Sequence, residues 1–346
     1  DCGEFAANLD QALALIRYDE FEQRRAEARS RGMLRGIGIA MPVEMAGSVG
    51  GDWAIVRADP DGGATLMPGA MSVGQGHETA FAAMVTEHLG VAPEKVRVMA
   101  GDTDLIAAGK GNGGSSAMVL GGSAVVRAME DLLRKAGERA AKALGVAASD
   151  VAFRDGRFLA AGSGRSVGLG DLAKDEVLTG SGEFVPPAPT FPNGCHICEV
   201  EVNPATGETS VVSYTSMNDV GRIVNPMIVE GQLDGGAVQG MGQALLESLV
   251  YDAESGQLVT GSLMDYAAPR ADIMPQMFKT YTNQSIPSTN NVLGVKGVGE
   301  LGTIGATPCV VNAIADALSR NGHPQKSQKL QMPVTPFRLW ELLSSQ

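Results

Sequence analysis

Two stretches of the chain alternate apolar and polar residues with the period of a β-strand. In the first stretch, residues 34–71, apolar segments flank Asp59-Pro60-Asp61-Gly62, which predicts two strands joined by a turn. In the second, EVEVNPATGETSVVSYTSM, the pattern predicts a hairpin that turns at Asn203-Pro204. Residues 9–31 instead have helical periodicity with charge pairs at i,i+4, which predicts an amphipathic helix.

In both halves of the chain, a hairpin is followed by a glycine-rich or polar loop and then by a helical stretch. The loops are GQGHET and GNGGSS in the first half and NDVGRIVNP in the second. A zone rich in Gly, Ser and Pro separates the halves. We therefore predict an α+β fold of two related lobes, residues 1–185 and 186–346. Each lobe would combine a hairpin or sheet with helices, and neither would be a Rossmann sheet.

The segment GVKGVGELGTIGA contains Gly297, Gly299 and Gly302 in the spacing G-x-G-x-x-G. A dinucleotide loop with this spacing requires a hydrophobic strand before it and a long α/β unit after it. The preceding IPSTNNVLGVK is a poor strand, and only about 44 residues follow the pattern. We interpret it as a glycine loop of another kind. A nucleotide-dependent dehydrogenase remains an alternative, and it requires direct NAD(P) binding.

Glu300 is the acidic residue inside this loop. Its neighbours Val298, Leu301 and Ile304, with several glycines, predict a tight apolar environment. Desolvation favours the protonated form of a carboxylate, so the functional interpretation is a general base that works near neutral pH. The alternative is a loop carboxylate that faces solvent.

Composition narrows the classes of function. A net charge of −12 argues against a nucleic-acid partner. No apolar run approaches the ~18 residues of a transmembrane helix. Four cysteines do not form a disulfide scaffold at this length, which favours reduced thiols and a cytoplasmic location. The chain begins at Asp1 without an initiator Met, so we expect an upstream part to be missing.

Taken in order, these motifs resemble the molybdenum-binding subunit of the xanthine dehydrogenase and aldehyde oxidase family, which includes the carbon monoxide dehydrogenase large chain. The resemblance runs through nearly the whole chain and implies the C-terminal half of such a subunit. The blocks that carry it are GQGHETAFAAMVTEHLGV, VRVMAGDTD, GNGGSSAMVLGGSAV, the segment from CEVEVNP to GQALLE, and GVKGVGELGTIGATPCVVNAIADAL.

The resemblance implies a molybdopterin cofactor whose molybdenum is held through the pterin, with no protein side chain as a metal ligand. Glu300 would be the catalytic glutamate beside the metal. The cofactor contacts would be Gly74, Gln75, Gly76, His77, Ser115, Ser116, Gln239, Lys296, Gly297, Val298 and Gly299. Two alternatives stay open. His77 is either a cofactor contact or a polar residue at a helix start, and Asp219, Arg222 and Asn225 either support the cofactor or form a turn network.

The implied reaction is hydroxylation of an aldehyde or N-heteroaromatic carbon with water as the oxygen source. Carbon monoxide oxidation is an alternative, as is a non-catalytic half-subunit that contributes cofactor contacts and an interface. Four scattered Cys do not supply iron–sulfur clusters. The resemblance implies iron–sulfur and flavin (FAD) subunits as partners, in a dimer of heteromers. The upstream half of the molybdenum subunit is a further expected partner. In bacterial relatives the pterin commonly has the cytosine dinucleotide form.

Overall fold

The computed structural model describes residues 2–47 and 50–345 of the chain. Its α-helices are α1 (Phe5–Leu15), α2 (Phe21–Ser30), α3 (His77–Leu89), α4 (Ser123–Leu144), α5 (Leu169–Leu172), α6 (Pro226–Leu245), α7 (Leu301–Ser319), α8 (Pro324–Ser327) and α9 (Pro336–Ser344). Its strands are β1 (Leu34–Ala40), β2 (Asp52–Ala58), β3 (Ala64–Pro68), β4 (Val96–Val98), β5 (Val151–Arg154), β6 (Arg157–Ala160), β7 (Ser166–Gly168), β8 (Leu178–Phe184), β9 (Asn193–Val202), β10 (Thr209–Asp219) and β11 (Met277–Asn283).

The first four-stranded sheet has the order β4-β3-β2-β8 and is covered by helices α3 and α4; we call this unit the α4 lobe. Strands β2 and β3 form the predicted hairpin, β4 lies parallel to β3 after α3, and β8 is an antiparallel edge strand. A small antiparallel sheet, β5-β6-β7, also packs on α4. The buried apolar residues between α4 and the four-stranded sheet form the core of this lobe.

The second four-stranded sheet has the order β1-β9-β10-β11 and is covered by α6 and α7; we call it the α7 lobe. Strands β9 and β10 form the predicted hairpin, β11 lies parallel to β10 after α6, and β1 is an antiparallel edge strand. Each sheet therefore consists of an antiparallel edge strand, a hairpin and a parallel strand. This arrangement confirms an α+β fold. Within the described residues, the strand before the GVGELG loop is β11, which ends at Asn283 and so does not lead directly into the loop as a Rossmann motif requires.

The two lobes obtain their edge strands from different parts of the chain. In the α4 lobe, β8 follows α4, whereas in the α7 lobe β1 comes from the N-terminal region and pairs with β9. Residues 34–40 thus belong to the sheet of the second predicted lobe, although they lie within the first predicted range. The boundary at residue 185 stays a prediction.

Glycines on the edge strands explain the close packing of helix on sheet. A Cβ at Gly36 or Gly38 of β1 would overlap the backbone of α7, and one at Gly180 or Gly182 of β8 would overlap the backbone of α4. Only a residue without a side chain allows the helix to approach this closely. The same G-x-G spacing therefore positions the main helix of each lobe.

The predicted single helix over residues 9–31 is wrong in its centre. Arg17 has a φ of 53°, and a 3₁₀ turn at Tyr18–Glu20 separates α1 from α2. A left-handed residue does not continue an α-helix, so the chain bends there and both helices pack on the α7 lobe.

Within the described residues, α7 has the length and hydropathy of a membrane-spanning segment. However, 61% of its apolar window is buried inside the protein. Its flanking contacts are β1, β9 and α6, so it serves as the core helix of its lobe.

Candidate functional site

A cleft of about 280 Å³ lies where four loops of the two lobes meet. Two of these loops precede α3 and α4, and the other two precede α6 and α7. The two pairs of helices occupy corresponding positions in the two lobes. Among the predicted site residues, the cleft is lined by Gln75, His77, Ser115, Ser116, Lys296, Gly297, Val298, Gly299 and Glu300. The structure thus brings together most residues that the sequence singled out on separate loops.

Ser115 and Glu300 form the central contact of the cleft, one from each lobe. The Ser115 hydroxyl donates a hydrogen bond of 2.6 Å to Oε2 of Glu300 and accepts one of 3.1 Å from the Glu300 backbone N–H. Glu300 is the residue before the first turn of α7, and Ser115 lies just before the helical stretch that leads into α4. The two bonds fix the carboxylate at the start of α7.

The backbone around this contact is crowded. A Cβ on Gly297 would lie 2.6 Å from Cβ of Ala46 and 2.7 Å from Cβ of Ser115, so only glycine allows the loops to meet here. Ser115 has a φ of 48°, a left-handed conformation that non-glycine residues adopt uncommonly. Such a residue persists where its surroundings determine it, and it is often found at functional sites.

The predicted apolar enclosure of Glu300 is wrong, because its side chain is exposed in the cleft. The buried acid is instead Glu44, which is only 6% exposed and which the sequence analysis missed. Burial raises the pKa of Glu44 to about 7; the Ser115 hydroxyl opposes this shift, and the negative charge of Glu300 adds to it. Glu44 lies in the apolar stretch MPVEMAG, where no motif or spacing marks it.

The loop before α3 presents Gln75 and His77. Oε1 of Gln75 accepts a hydrogen bond of 2.6 Å from the backbone N–H of Val73, which leaves its amide nitrogen for the cleft. The half-buried His77 ring stacks on Phe81, and burial lowers its pKa. Nδ1 of His77 is buried without a hydrogen-bond partner among the described residues. A buried polar atom of this kind is suited to a partner from outside the chain.

Lys296 lies at the cleft wall, but its ammonium group forms a fully buried ion pair. It donates to Oδ2 of Asp219 at 3.0 Å and to the backbone oxygen of Cys2 at 2.7 Å. Asp219 is therefore paired with Lys296, and its support of the cofactor stays a prediction. An anion contact from Lys296 stays a prediction, and its ammonium already has a carboxylate partner.

Three predicted contacts, Gly74, Gly76 and Gln239, do not line the cleft. Gln239 is exposed on α6 and accepts a hydrogen bond of 3.2 Å from Thr303. Gln232 lines the cleft instead, and its Oε1 would lie 3.9 Å from a Cβ on Gly299. The two glutamines are seven residues apart and so share one face of the helix, which is the signal that could have found Gln232.

The cleft fits a large anionic cofactor such as a phosphate-bearing pterin. Gly74, Gly113 and Gly114 have positive φ, and a Cβ on any of them would meet nothing within 4 Å, so their backbone is open to a close-lying group. Two of the loops lead into the N-termini of α3 and α7, where backbone N–H groups favour negative charge. Arg222 also lines the cleft and forms no ion pair within the described part of the chain.

The described residues contain no group of three or more His, Cys, Asp or Glu side chains that could hold a metal ion. The expectation that molybdenum is held through the pterin stays a prediction.

The comparisons with known proteins agree with this geometry. Residues 11–275 match the family model of the molybdopterin cofactor-binding domain. The nicotine 6-hydroxylase large subunit of Paenarthrobacter nicotinovorans is 36% identical over 97% of this chain and 44% of its own length. The carbon monoxide dehydrogenase large chain of Hydrogenophaga pseudoflava is 31% identical over 99% of this chain and 45% of its own length.

Solved structures show the same fold. Quinoline 2-oxidoreductase from Pseudomonas putida 86 superimposes with a TM-score of 0.85 at 30% identity, covering 99% of this chain and 46% of the larger one. The chain thus spans about half the length of the relatives it matches. The motif order, the two-lobed fold and these matches show that the chain belongs to the molybdopterin cofactor-binding domain family of molybdenum-dependent oxidoreductases.

Proposed function

We propose that this chain forms the cofactor-facing part of a molybdenum hydroxylase that oxidises an electron-poor carbon with water as the oxygen source. Glu300 is the general base in this proposal. The observation that carries it is the Ser115–Glu300 contact, which holds an exposed carboxylate in a cleft built from loops of both lobes. A carboxylate in this place can accept a proton from a substrate-side hydroxyl.

The residues around Glu300 support its role as a base. Because the Ser115 hydroxyl donates to Oε2, Oε1 remains to accept a proton from the reacting group. The second bond, from the Glu300 N–H to the Ser115 oxygen, fixes the direction of the side chain. Positioning of this kind reduces the entropic part of the barrier.

The cofactor-binding role falls to the backbone of the glycine loops, the Gln75 amide and Gln232, with Arg222 near the phosphate-bearing part. When bound, the molybdenum cofactor would accept two electrons from the substrate and activate water. The contacts predicted for Gly74, Gly76 and Gln239 stay part of this proposal, although these residues do not line the cleft. The cytosine dinucleotide form of the pterin is part of the same proposal.

An N-heteroaromatic substrate is the leading candidate. The names of two relatives, nicotine 6-hydroxylase and quinoline 2-oxidoreductase, refer to N-heteroaromatic compounds. An aldehyde is the second candidate, and carbon monoxide is an alternative because the carbon monoxide dehydrogenase large chains are also similar. Iron–sulfur and flavin subunits, an upstream half of this subunit, a dimer of heteromers and a cytoplasmic location complete the proposal.

The test is Glu300→Gln in the enzyme assembled with its native partners. Loss of a general base is expected to reduce turnover by about 10²–10⁴-fold, while molybdenum per chain stays unchanged. Glu87→Gln, an exposed acid on α3, is the matched control and should leave both quantities unaltered. Molybdenum is counted by elemental mass spectrometry, and turnover is measured with N-heteroaromatics, aldehydes and carbon monoxide.

Each alternative has its own outcome in this experiment. Full turnover in Glu300→Gln would favour a non-catalytic half-subunit. Absence of molybdenum from the wild-type assembly would refute the cofactor assignment.

A further inference from the structure

Glu44 lies on the segment that connects β1 and β2, and its carboxyl group interacts with Ser115 and Glu300. Its backbone N–H donates to the carbonyl of Pro192 at 3.0 Å, and Ala46 and Thr190 exchange two backbone hydrogen bonds of 2.9 Å. Gly47 donates to the carbonyl of Gly114 at 2.9 Å, next to Ser115. The segment is therefore fixed on both sides, and the Glu44 side chain is held in the interior.

Both carboxylate oxygens of Glu44 are buried without a hydrogen-bond partner among the described residues. A buried polar group without a partner is costly, and a buried charge without one is costlier still. The nearby Ser115 hydroxyl relieves this only in part, because its hydrogen is donated to Glu300. The structure thus has a buried acid with unused hydrogen-bonding capacity beside the candidate base.

The charged neighbours of Glu44 can be named element by element. The loop before α7 contributes Glu300, whose negative charge opposes ionisation of Glu44, and Lys296, which is neutralised by Asp219. Residues 190–192 and 113–116, which pack on the Glu44 segment, contain no titratable side chain. Among these described elements, the charged neighbour of Glu44 that is not already paired is the Glu300 carboxylate.

We infer that Glu44 is a positioning residue for Glu300: the two carboxyl groups share one proton next to the Ser115 hydroxyl, and Glu44 holds it while Glu300 acts as the base. This inference rests on the proposed function. Two adjacent carboxyl groups do not both ionise readily, because each negative charge opposes the other. Glu44 is the more buried of the two, so it is the one that retains the proton.

The pairing places a protonated carboxyl group beside Glu300. Because Glu44 is buried, this group is out of reach of the substrate. Below about pH 7 the shared proton stays on Glu44, and Glu300 can accept another proton from the reacting group. When the pH rises through about 7, Glu44 loses its proton and the site carries two negative charges.

The test uses the assembled enzyme and follows the carbonyl stretching band of a protonated carboxylic acid by infrared spectroscopy. In the wild type, a band that disappears as the pH rises through about 7 is expected, and Glu44→Gln should lack it. The pH profile of kcat/KM should lose its inflection near this pH in the same variant. Glu87→Gln should keep both the band and the inflection.

Glu300→Gln leaves Glu44 in place, so the titration of the infrared band in this variant tests the inference even if Glu44→Gln does not fold. Removing the Glu300 charge should let Glu44 ionise at lower pH, which would shift the titration of the band downward. An unchanged titration in Glu300→Gln, or a band that persists in Glu44→Gln, would overturn the shared proton. The proposed function fails independently, if Glu300→Gln retains full turnover whatever the infrared band does.

Discussion

The α4 lobe and the α7 lobe each have a buried ionisable side chain at the same position of the sheet. In one lobe this side chain is an acid, and in the other it is a base. In the α4 lobe this residue is Asp52 of β2, and in the α7 lobe it is His196 of β9; each is 1% exposed. Asp52 pairs with the residue two positions beyond Gly182, and His196 pairs with the residue two positions beyond Gly38. The two lobes are thus related position by position.

A helical glycine faces each of these side chains. A Cβ at Gly121 would lie 3.1 Å from Oδ2 of Asp52, and one at Gly305 would lie 2.7 Å from Cγ of the His196 ring. Both sites favour the neutral form of the side chain, because burial disfavours charge. Burial raises the pKa of Asp52 and lowers that of His196 to about 4. The same architecture therefore gives the two lobes opposite responses to pH.

The largest expected effect comes from the glycines that let each helix approach its sheet. Gly38→Ala and Gly182→Ala should each destabilise the protein by about 3 kcal/mol or more, because the new Cβ overlaps helix backbone and not a flexible side chain. Denaturant unfolding of the assembled protein measures the loss. If the lobes are equivalent, the two values agree, and a tolerated substitution in one lobe would show that its helix can shift.

Gly137→Ala on α4 is the matched control for these variants. A Cβ there would meet only Cε1 of Phe158, at an ordinary 3.8 Å. Replacing a glycine inside a helix by alanine is expected to stabilise it by about 0.5–1 kcal/mol. A destabilised Gly137→Ala would show that the effect at the strand glycines is not specific to backbone overlap.

The next effect concerns acid stability of the α7 lobe. Nε2–H of His196 donates to Oδ1 of Asn218 at 3.0 Å, and Nδ1 accepts from the Tyr214 hydroxyl at 2.6 Å, so the ring is held neutral. The pKa of His196 in the folded protein, about 4, lies below the ordinary 6.5. The contribution of His196 to the free energy of unfolding is therefore fully present above pH 6.5 and is lost as the pH falls toward 4. The loss should reach roughly 3 kcal/mol.

Unfolding measured at a series of pH values, for the wild type and His196→Gln, isolates this contribution. The variant should have the smaller loss of stability between pH 6.5 and 4. Equal pH dependence in both proteins would mean that His196 is not the source of acid lability.

The smallest effect is expected in the α4 lobe, with the opposite sign. The pKa of Asp52 is raised above 3.8 in the folded state. The contribution of Asp52 to the free energy of unfolding is therefore fully present below pH 3.8, and it is lost as the pH rises through the raised pKa. Two backbone N–H bonds, from Trp53 at 2.9 Å and Lys110 at 3.2 Å, partly offset the cost of the buried charge. Asp52→Asn should therefore gain stability relative to the wild type as pH rises, and a constant difference would contradict this.

The sequence predicted the parts of the fold that are local. Turn residues and alternation marked both hairpins, and glycines marked the loops before α3 and α7, because these signals lie within a few residues of the elements they specify. The pairing of β1 with β9 was not predicted, since it joins residues about 160 positions apart. The break at Arg17 was missed because no glycine or proline announces it.

The candidate site shows the same division. Glu300, Ser115 and the glycines were found from motifs, whereas Glu44 was missed because its burial depends on three segments that meet only in the fold. The environment expected for Glu300 was wrong for a related reason: the apolar neighbours Val298 and Leu301 pack in a cluster with Val220 and Leu233, while the Glu300 side chain lies exposed in the cleft. Sequence spacing identifies the residues that can take part in the chemistry, and packing determines their burial and their contacts.

The origin of the edge strands also determines the order in which the protein is made. The α4 lobe is continuous from residue 52 to 184, so it can fold on the ribosome as soon as that stretch has emerged. Strand β1 is synthesised earlier but must wait for β9 and for α7, which begins at residue 301. Until then it is an unpaired strand with exposed backbone groups, the kind of segment that promotes aggregation. Translation of the stretch between β1 and α7 is thus the interval in which the nascent protein most needs protection.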